Sequence, residues 1–140
     1  IGIGTDSAAS NNRLDMFAEM RLIALLAKAR SNRAEAIGAH QALRMATLEG
    51  ARALGLENLI GSLCPGKAAD LCAINTHDAR LMPCHDPASL LVYTAGREHV
   101  SDVWVAGKCC IKDGQLTGNN EIELIRLASL WQNLVRPRDV

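Results

Sequence analysis

Asp6 is the side chain of this sequence best placed to do chemistry. It follows a short run rich in Ile and Gly, residues 1–5, which predicts a buried strand, and it precedes the polar residues 7–12. A carboxylate at the end of a core strand is fixed by the strand, while the following loop leaves it open to substrate. The residues alone leave open the alternative that Asp6 is only a turn residue.

Ser10, Asn11 and Asn12 follow Asp6 and are side chains that commonly cap the start of a helix. We favour this capping role over contact with a substrate. The sequence contains no Gly-x-Ser-x-Gly nucleophile motif, and Gly2-x-Gly4 lacks the third glycine of a phosphate-binding loop. The residues therefore predict one well-placed carboxylate and not a complete active site.

Metal ligands in the rest of the chain are not indicated by sequence spacing. The four histidines are scattered, with no His-x-His pair and no His-x-x-Glu. We predict surface or capping roles for His77, His85 and His99. His40 stands just before a predicted helix, and its role is left more open.

Charge and cysteine content narrow the function classes. Lys+Arg and Asp+Glu both number 15, which argues against nucleic acid or an anionic membrane as partner. The longest apolar runs, near residues 22–27, are too short to span a membrane. The five cysteines include no C-x-x-C pair, and their odd number favours reduced thiols and a cytoplasmic location. Packing is the role we predict for the adjacent Cys109 and Cys110.

Two helices are predicted after the opening strand. Asn12 and Asp15 resemble a weak capping box for a helix over residues 14–30, whose wide apolar face predicts burial on more than one side. A second helix is predicted from about residue 42 to residue 54 by apolar positions at three-and-four spacing. Gly55 is placed to end it as a left-handed C-cap.

A small β module is predicted from residue 59 onward. Pro65-Gly66 predicts a type II turn, and Asp86-Pro87 predicts the start of a short helix that ends at Gly96. The predicted strands are residues 70–74 and then an antiparallel meander of residues 100–105, 108–111 and 115–117. A last helix is predicted to open with a capping box of Asn120 and Glu123 and to end before Pro137.

Four groups of motifs resemble, in order, the end of the amidohydrolase superfamily sequence. They are GTDSAASNN at 4–12 with the following LDMF; ALRMAT at 42–47 with GARALGL at 50–56; IGSL at 60–63 with PGKAADL at 65–71; and DP at 86–87 with VSDVWVAGK at 100–108. The branch resembled contains methylthioadenosine/S-adenosylhomocysteine deaminases, guanine deaminases and triazine chlorohydrolases. These motifs span nearly the whole chain.

The resemblance implies an α/β fold built from two parts of a larger enzyme. Residues 1–58 would be the last βα unit of a (β/α)8 TIM barrel. Residues 59–118 would be the C-terminal share of a small composite β-sandwich, and residues 119–140 a closing helix. The chain is accordingly expected to be the C-terminal portion of the enzyme.

The resemblance also implies a metal-dependent hydrolase that deaminates or dechlorinates a purine-like or triazine-like ring, with the methylthioadenosine/S-adenosylhomocysteine type favoured. Asp6 would be the last ligand of one divalent metal, zinc or less often iron, and would accept a proton from the attacking water. Apart from the resemblance, the position of Ser10 and Asn11 beside Asp6 makes them the alternative candidates for contact with the substrate or support of the site.

The other ligands in such enzymes, a His-x-His and two further histidines, precede the segment matched by this chain. Expected partners are therefore the heterocyclic substrate, the N-terminal remainder of the enzyme and further copies in a homo-oligomer. On its own the chain is expected to be inactive. The alternative is a non-catalytic folding or assembly module.

Overall fold

The computed structural model describes residues 1–118 and 120–135, which combine helices with one antiparallel sheet. The helices are α1 Met16–Ser31, α2 Ala39–Ala46, α3 Leu48–Ala53, α4 Pro87–Tyr93 and α5 Glu121–Leu134, with 3-10 turns at Ala79–Leu81 and Arg97–His99. The strands are β1 Leu71–Ile74, β2 Val100–Val105, β3 Lys108–Lys112 and β4 Gln115–Leu116.

The opening residues do not form the predicted strand. Ile3 N donates to Met45 O of α2 at 3.2 Å, and this is the backbone hydrogen bond that ties residues 1–6 to the rest of the described chain. A strand requires a ladder of such bonds to a neighbouring strand, and the described strands pair with one another instead. Ile3 is half-buried and Gly4 is exposed. The prediction of a buried strand ending at Asp6 is therefore wrong for this chain.

Helix α1 begins two residues later than predicted. Leu14 has a left-handed φ of 48°, which is incompatible with a helical position, so the chain enters α1 at Met16. Asp15 is the N-cap, and its Oδ1 accepts from Phe17 N at 3.0 Å and Ala18 N at 3.3 Å. The predicted capping box of Asn12 and Asp15 is wrong, because Asp15 itself occupies the cap position.

The second predicted helix is two helices. Thr47 separates α2 from α3 with φ −120° and ψ −96°, and its hydroxyl donates to Leu43 O at 2.8 Å. The predicted end at Gly55 is confirmed. Gly55 has φ 71°, its N–H donates to Arg52 O, and Leu56 N donates to Ala51 O at 2.9 Å. This pair of bonds is the Schellman arrangement that glycine favours.

The core lies between α1, α2 and α4. Its members are mostly small: Met20, Ala24, Ala39, Ala42, Ala88 and Val92. Small side chains let the three helices approach closely. On the outer face of α1, Leu22, Leu25 and Leu26 are about half exposed, so within the described residues the prediction that this helix is covered on more than one side is wrong.

The sheet is antiparallel in the order β1-β2-β3-β4, which confirms the predicted meander of β2, β3 and β4. The pairing of β1 with β2 was not predicted. Consecutive positive φ values at Ala106-Gly107 and at Asp113-Gly114 fit the hairpin turns that match strand twist. The Pro65-Gly66 turn is also confirmed, with Gly66 at φ 89° and Lys67 N donating to Cys64 O at 3.2 Å. No strand residue is fully buried, so the faces of the sheet are only partly covered by the described residues.

Two predicted helix ends differ from the structure. Helix α4 is capped by Asp86 as predicted but reaches its C-cap at Thr94, before Gly96. Asn120 caps α5 by accepting from Ile122 N at 3.0 Å, whereas Glu123 pairs with Arg126 at 2.6 Å instead of completing the predicted capping box. Helix α5 buries none of its described side chains, and the predicted stop at Pro137 lies outside the described residues.

Across residues 1–118 and 120–135, no helix has both the length and the apolar character needed to cross a membrane.

Candidate active site

The carboxylate of Asp6 stands exposed at the point where the opening segment turns. Its backbone is left-handed, with φ 60°, a conformation that aspartate and asparagine tolerate better than most residues. Oδ1 accepts from Ser7 N at 2.8 Å and Oδ2 from the hydroxyl of Ser10 at 2.6 Å. An ionised carboxylate has about four acceptor positions, so each oxygen keeps room for a further partner.

The same two donors set the ionisation of Asp6. The Ser10 hydroxyl has the larger effect, and together with the Ser7 N–H it lowers the pKa of Asp6 below its ordinary value. The carboxyl group is therefore ionised at neutral pH. This is the form that can hold a cation or accept a proton.

Residues 7–11 form a tight turn beneath this carboxylate. Ser10 N and Asn11 N both donate to Ser7 O, at 3.1 Å and 2.8 Å. The structure thus brings the Ser10 hydroxyl to Asp6. The prediction that Ser10, Asn11 and Asn12 cap the following helix is wrong, because α1 starts at Met16.

Asn11 faces α1 rather than Asp6. Its Nδ2 donates to Glu19 Oε1 at 2.6 Å, and its Oδ1 accepts from Arg13 N at 3.3 Å. Glu19 was not among the site residues predicted from the sequence. A contact between residues eight apart, across a loop and a helix start, follows neither helical nor strand periodicity, so no sequence signal indicated it.

The histidines do not join Asp6. His77 and His85 are exposed, as predicted, and His40 is 82% exposed with its Nε2 3.8 Å from Asp86 Oδ1. His99 is 7% exposed, so of the two predicted roles, surface or capping, the surface role is excluded. It has the capping role, because its Nδ1 accepts from Gly96 N at 3.0 Å. Its Nε2 lies 3.7 Å from Asp78.

A divalent metal fits Asp6 as one ligand of a larger set. The donor is an exposed, ionised carboxylate with unused acceptor positions, which suits a hard or borderline cation. Within residues 1–118 and 120–135 there is no group of three or more His, Cys, Asp or Glu side chains that could hold a metal ion. Asp6 can therefore contribute to a metal site that needs further ligands.

An open apolar groove of about 410 Å³ runs along α1 beside the segment that leads to Asp6. It is lined by Ile3, Gly4, Glu19, Leu22, Ile23 and Leu26. Its charged member, Glu19, is the residue that binds Asn11. Glu19 therefore bonds to Asn11, which follows Asp6 in the sequence, and lines the same groove as Ile3 and Gly4, which precede Asp6.

The chain resembles curated deaminases over most of its length. It is 49% identical over 132 residues to a 5-methylthioadenosine/S-adenosylhomocysteine deaminase from Teredinibacter turnerae, a match covering 94% of this chain and 30% of that relative. A 5'-deoxyadenosine deaminase from Methanothermobacter thermautotrophicus is 41% identical, with 91% of this chain and 30% of the relative covered. The chain thus spans less than a third of the length of these relatives.

Solved structures of related enzymes also superimpose on most of this chain. An adenosine deaminase from Xanthomonas campestris with bound zinc superimposes with a TM-score of 0.93 at 46% identity, over 96% of this chain and 31% of that one. An atrazine chlorohydrolase from Arthrobacter aurescens complexed with zinc gives a TM-score of 0.83 at 29% identity, over 92% and 29%. The sequence model of the Amidohydrolase family matches residues 1–110. The chain belongs to the amidohydrolase family.

Proposed function

We propose that this chain is the C-terminal part of a metal-dependent hydrolase that removes the amino group from the purine ring of a 5'-modified adenosine, such as methylthioadenosine or S-adenosylhomocysteine. The observation that carries the proposal is the exposed, ionised carboxylate of Asp6, held by Ser7 and Ser10 in a sequence closely similar to such deaminases.

In this proposal, residues 1–58 complete a (β/α)8 barrel, residues 59–118 contribute to a composite β-sandwich, and α5 is the closing helix. The partly covered sheet and the half-exposed leucines of α1 support it, because both leave apolar surface that further chain would bury. The opening segment, with one backbone bond to α2, would gain strand neighbours in a completed barrel. A homo-oligomeric state and a cytoplasmic location stay predictions.

Asp6 would hold one divalent ion, zinc or alternatively iron, together with histidines from the N-terminal remainder. When bound, the ion supplies activation of the water that attacks the ring carbon. Zinc is favoured over iron because the relatives from Xanthomonas campestris and Arthrobacter aurescens are zinc-bound.

The chain's own contribution is to hold and move a proton at Asp6. As the water oxygen forms its bond to the ring carbon, Asp6 accepts one proton of the water. Asp6 then gives this proton to the exocyclic amine, so that the carbon–nitrogen bond breaks, ammonia leaves and the oxygen stays on the ring carbon. The Ser10 hydroxyl and the Ser7 N–H fix the carboxylate so that it meets the water without rearranging. Both donors also keep Asp6 deprotonated before the reaction.

The experiment that tests this proposal is Asp6→Asn in the full-length protein, with Asp113→Asn as the matched control. Both aspartates are exposed and left-handed, at φ 60° and 50°, and asparagine tolerates that backbone equally well. Turnover of methylthioadenosine, S-adenosylhomocysteine and 5'-deoxyadenosine should fall roughly 10²- to 10⁴-fold in Asp6→Asn, the usual value of a proton-transfer group. Asp113→Asn should keep wild-type turnover, and undiminished turnover in Asp6→Asn would refute the proposal.

The runner-up function is dechlorination of a triazine ring, favoured by the likeness to the atrazine chlorohydrolase. The same water attack would then expel chloride instead of ammonia. Chloride release from atrazine faster than ammonia release from the nucleosides would select this alternative.

The non-catalytic alternative makes a different prediction. A full-length protein without bound metal and without activity on any of these substrates would select the folding or assembly module.

A further inference from the structure

We infer that Glu19 is a positioning residue for Asp6, acting through Asn11. This inference rests on the proposed function, since it concerns the residue proposed to hold the metal and move the proton. Glu19 does not contact Asp6 itself. It fixes the turn from which the Asp6 carboxylate takes its two hydrogen bonds.

The first step is the dependence of Asp6 on that turn. Both oxygens of Asp6 are held by turn residues, Ser7 through its N–H and Ser10 through its hydroxyl. The turn is closed by Ser10 N and Asn11 N, which share the Ser7 carbonyl. Movement of the turn therefore moves the carboxylate.

The second step is how the turn is anchored. Among the hydrogen bonds of the described residues, the one that joins residues 7–11 to a helix is Asn11 Nδ2 to Glu19 Oε1, at 2.6 Å. Both side chains are half-buried. The short distance between donor and acceptor makes this contact well suited to fix a loop.

The third step is the rigidity of Glu19. It lies in the N-terminal part of α1, and its own N–H donates to the carbonyl of the capping residue Asp15 at 3.2 Å. Its neighbour Met20 is buried in the helical core, so the helix cannot shift freely. Glu19 also lines the groove formed with Ile3 and Gly4, which places it beside the chain on both sides of Asp6.

Loss of this anchor should affect the reaction more than the fold. Partners that orient a metal-binding group typically contribute about 10- to 100-fold to activity or metal affinity. Because Glu19 acts at one step removed, through the turn, we expect the lower end: about tenfold in kcat for Glu19→Ala, with KM little changed. Glu19→Gln keeps an oxygen acceptor for Asn11 and should restore most of the loss.

The test compares Glu19→Ala, Glu19→Gln, Asn11→Ala and the double variant Asn11→Ala/Glu19→Ala in the zinc-loaded full-length protein. Glu35→Ala is the matched control, since it removes an exposed glutamate paired only locally with Arg33 at 2.7 Å. Two quantities are measured: kcat and KM for the preferred nucleoside, and hydrogen exchange of the amides of Ser10 and Asn11, which bond to Ser7 O.

The expected result is a fall in kcat with at least about fivefold faster exchange of these amides in Glu19→Ala and Asn11→Ala, and neither change in Glu35→Ala. The double variant should lose no more kcat than either single one, because both remove the same bond.

Unchanged amide exchange in Glu19→Ala would overturn the inference, and so would faster exchange with a wild-type kcat. Failure of the proposed function is recognised separately. In that case Asp6→Asn keeps its turnover, whatever the amides of the Glu19 variants do.

Discussion

The helical layer and the sheet of this chain are stabilised in different ways. The helical layer, formed by α1, α2 and α4, is held by a buried core of mostly small side chains and by caps such as Asp15. The sheet contains no fully buried residue and is held by backbone ladders between successive strands. Tight turns join β2, β3 and β4, whereas α4 lies between β1 and β2 in the sequence. Side-chain packing dominates the first region and backbone pairing the second.

This difference bears on the candidate site, which lies at the edge of the helical layer. Asp6, Ser10 and Asn11 are arranged by side-chain hydrogen bonds and by contact with α1, not by a strand ladder. Substitutions that disturb packing around the helices should therefore have larger effects than comparable substitutions in the sheet. Two pairs of variants test this expectation in the full-length protein, and a third comparison measures the pH dependence of the helical layer.

The largest difference is expected between Gly61→Ala and Gly114→Ala. Both glycines have left-handed φ, 85° and 77°, so alanine carries a similar backbone penalty at each, about 1–2 kcal/mol. At Gly61 the added Cβ would also lie 2.6 Å from Ala51 Cβ and 3.1 Å from Leu48 Cα, whereas nothing lies within 4 Å at Gly114. Overpacking should add about 1–3 kcal/mol at Gly61 alone.

Urea unfolding midpoints measure that difference. A lower midpoint for Gly61→Ala than for Gly114→Ala would support the distinction between packed helices and a locally paired sheet. Equal midpoints would contradict it.

A smaller difference is expected between Asp15→Ala and Asp70→Ala. Asp15 is 5% exposed and accepts from two helix amides, Phe17 N and Ala18 N, so its loss should cost about 1–2 kcal/mol. Asp70 is exposed and accepts from Ala106 N in the turn between β2 and β3, a contact for which we expect less than about 1 kcal/mol. Thermal unfolding of the two variants checks the order, and a larger loss in Asp70→Ala would reverse it.

The features that could be predicted from the sequence also differ between the sheet and the helical layer. The meander was predictable because its strands and turns are consecutive, so Asp113-Gly114 and the alternating residues around it specify the pairing locally. The opening strand was not predictable in this way, because a strand is defined by a ladder of backbone bonds to neighbouring strands. Residues 1–6 make one such bond to the rest of the described chain, from Ile3 N to Met45 O of α2. The C-cap at Gly55 was predictable from a single residue, whereas the break at Thr47 has no comparable signal.

The sequence was sufficient to predict Asp6 as the central residue of the candidate site. It was not sufficient to predict the hydrogen bonds that hold Asp6 and the turn after it. Asp6 stood out because of its position between an apolar run and a polar turn. The bond from Ser10 to Asp6 was hidden by a second plausible role, since serine before a helix usually caps it. The bond from Asn11 to Glu19 depends on how the turn folds back on α1, which periodicity does not describe.

The smallest expected effect concerns the pH dependence that Asp86 gives to the helical layer. The hydroxyl and then the N–H of Ser89 lower the pKa of Asp86 below its ordinary value of 3.8, while Asp86 caps α4. A lowered pKa in the folded state means that protonation favours unfolding. The stability from this group is therefore present above pH 3.8 and is lost as the pH falls through the lower folded value.

Asp86→Asn keeps a capping side chain but cannot titrate, so its unfolding midpoint should approach that of the wild type below pH 3.8 and lie under it at neutral pH. His40, with its Nε2 3.8 Å from Asp86, is replaced in both proteins by His40→Gln so that its own charge does not contribute. A difference between the two midpoints that stays constant with pH would show that Asp86 stabilises α4 by its shape as a cap and not by its charge.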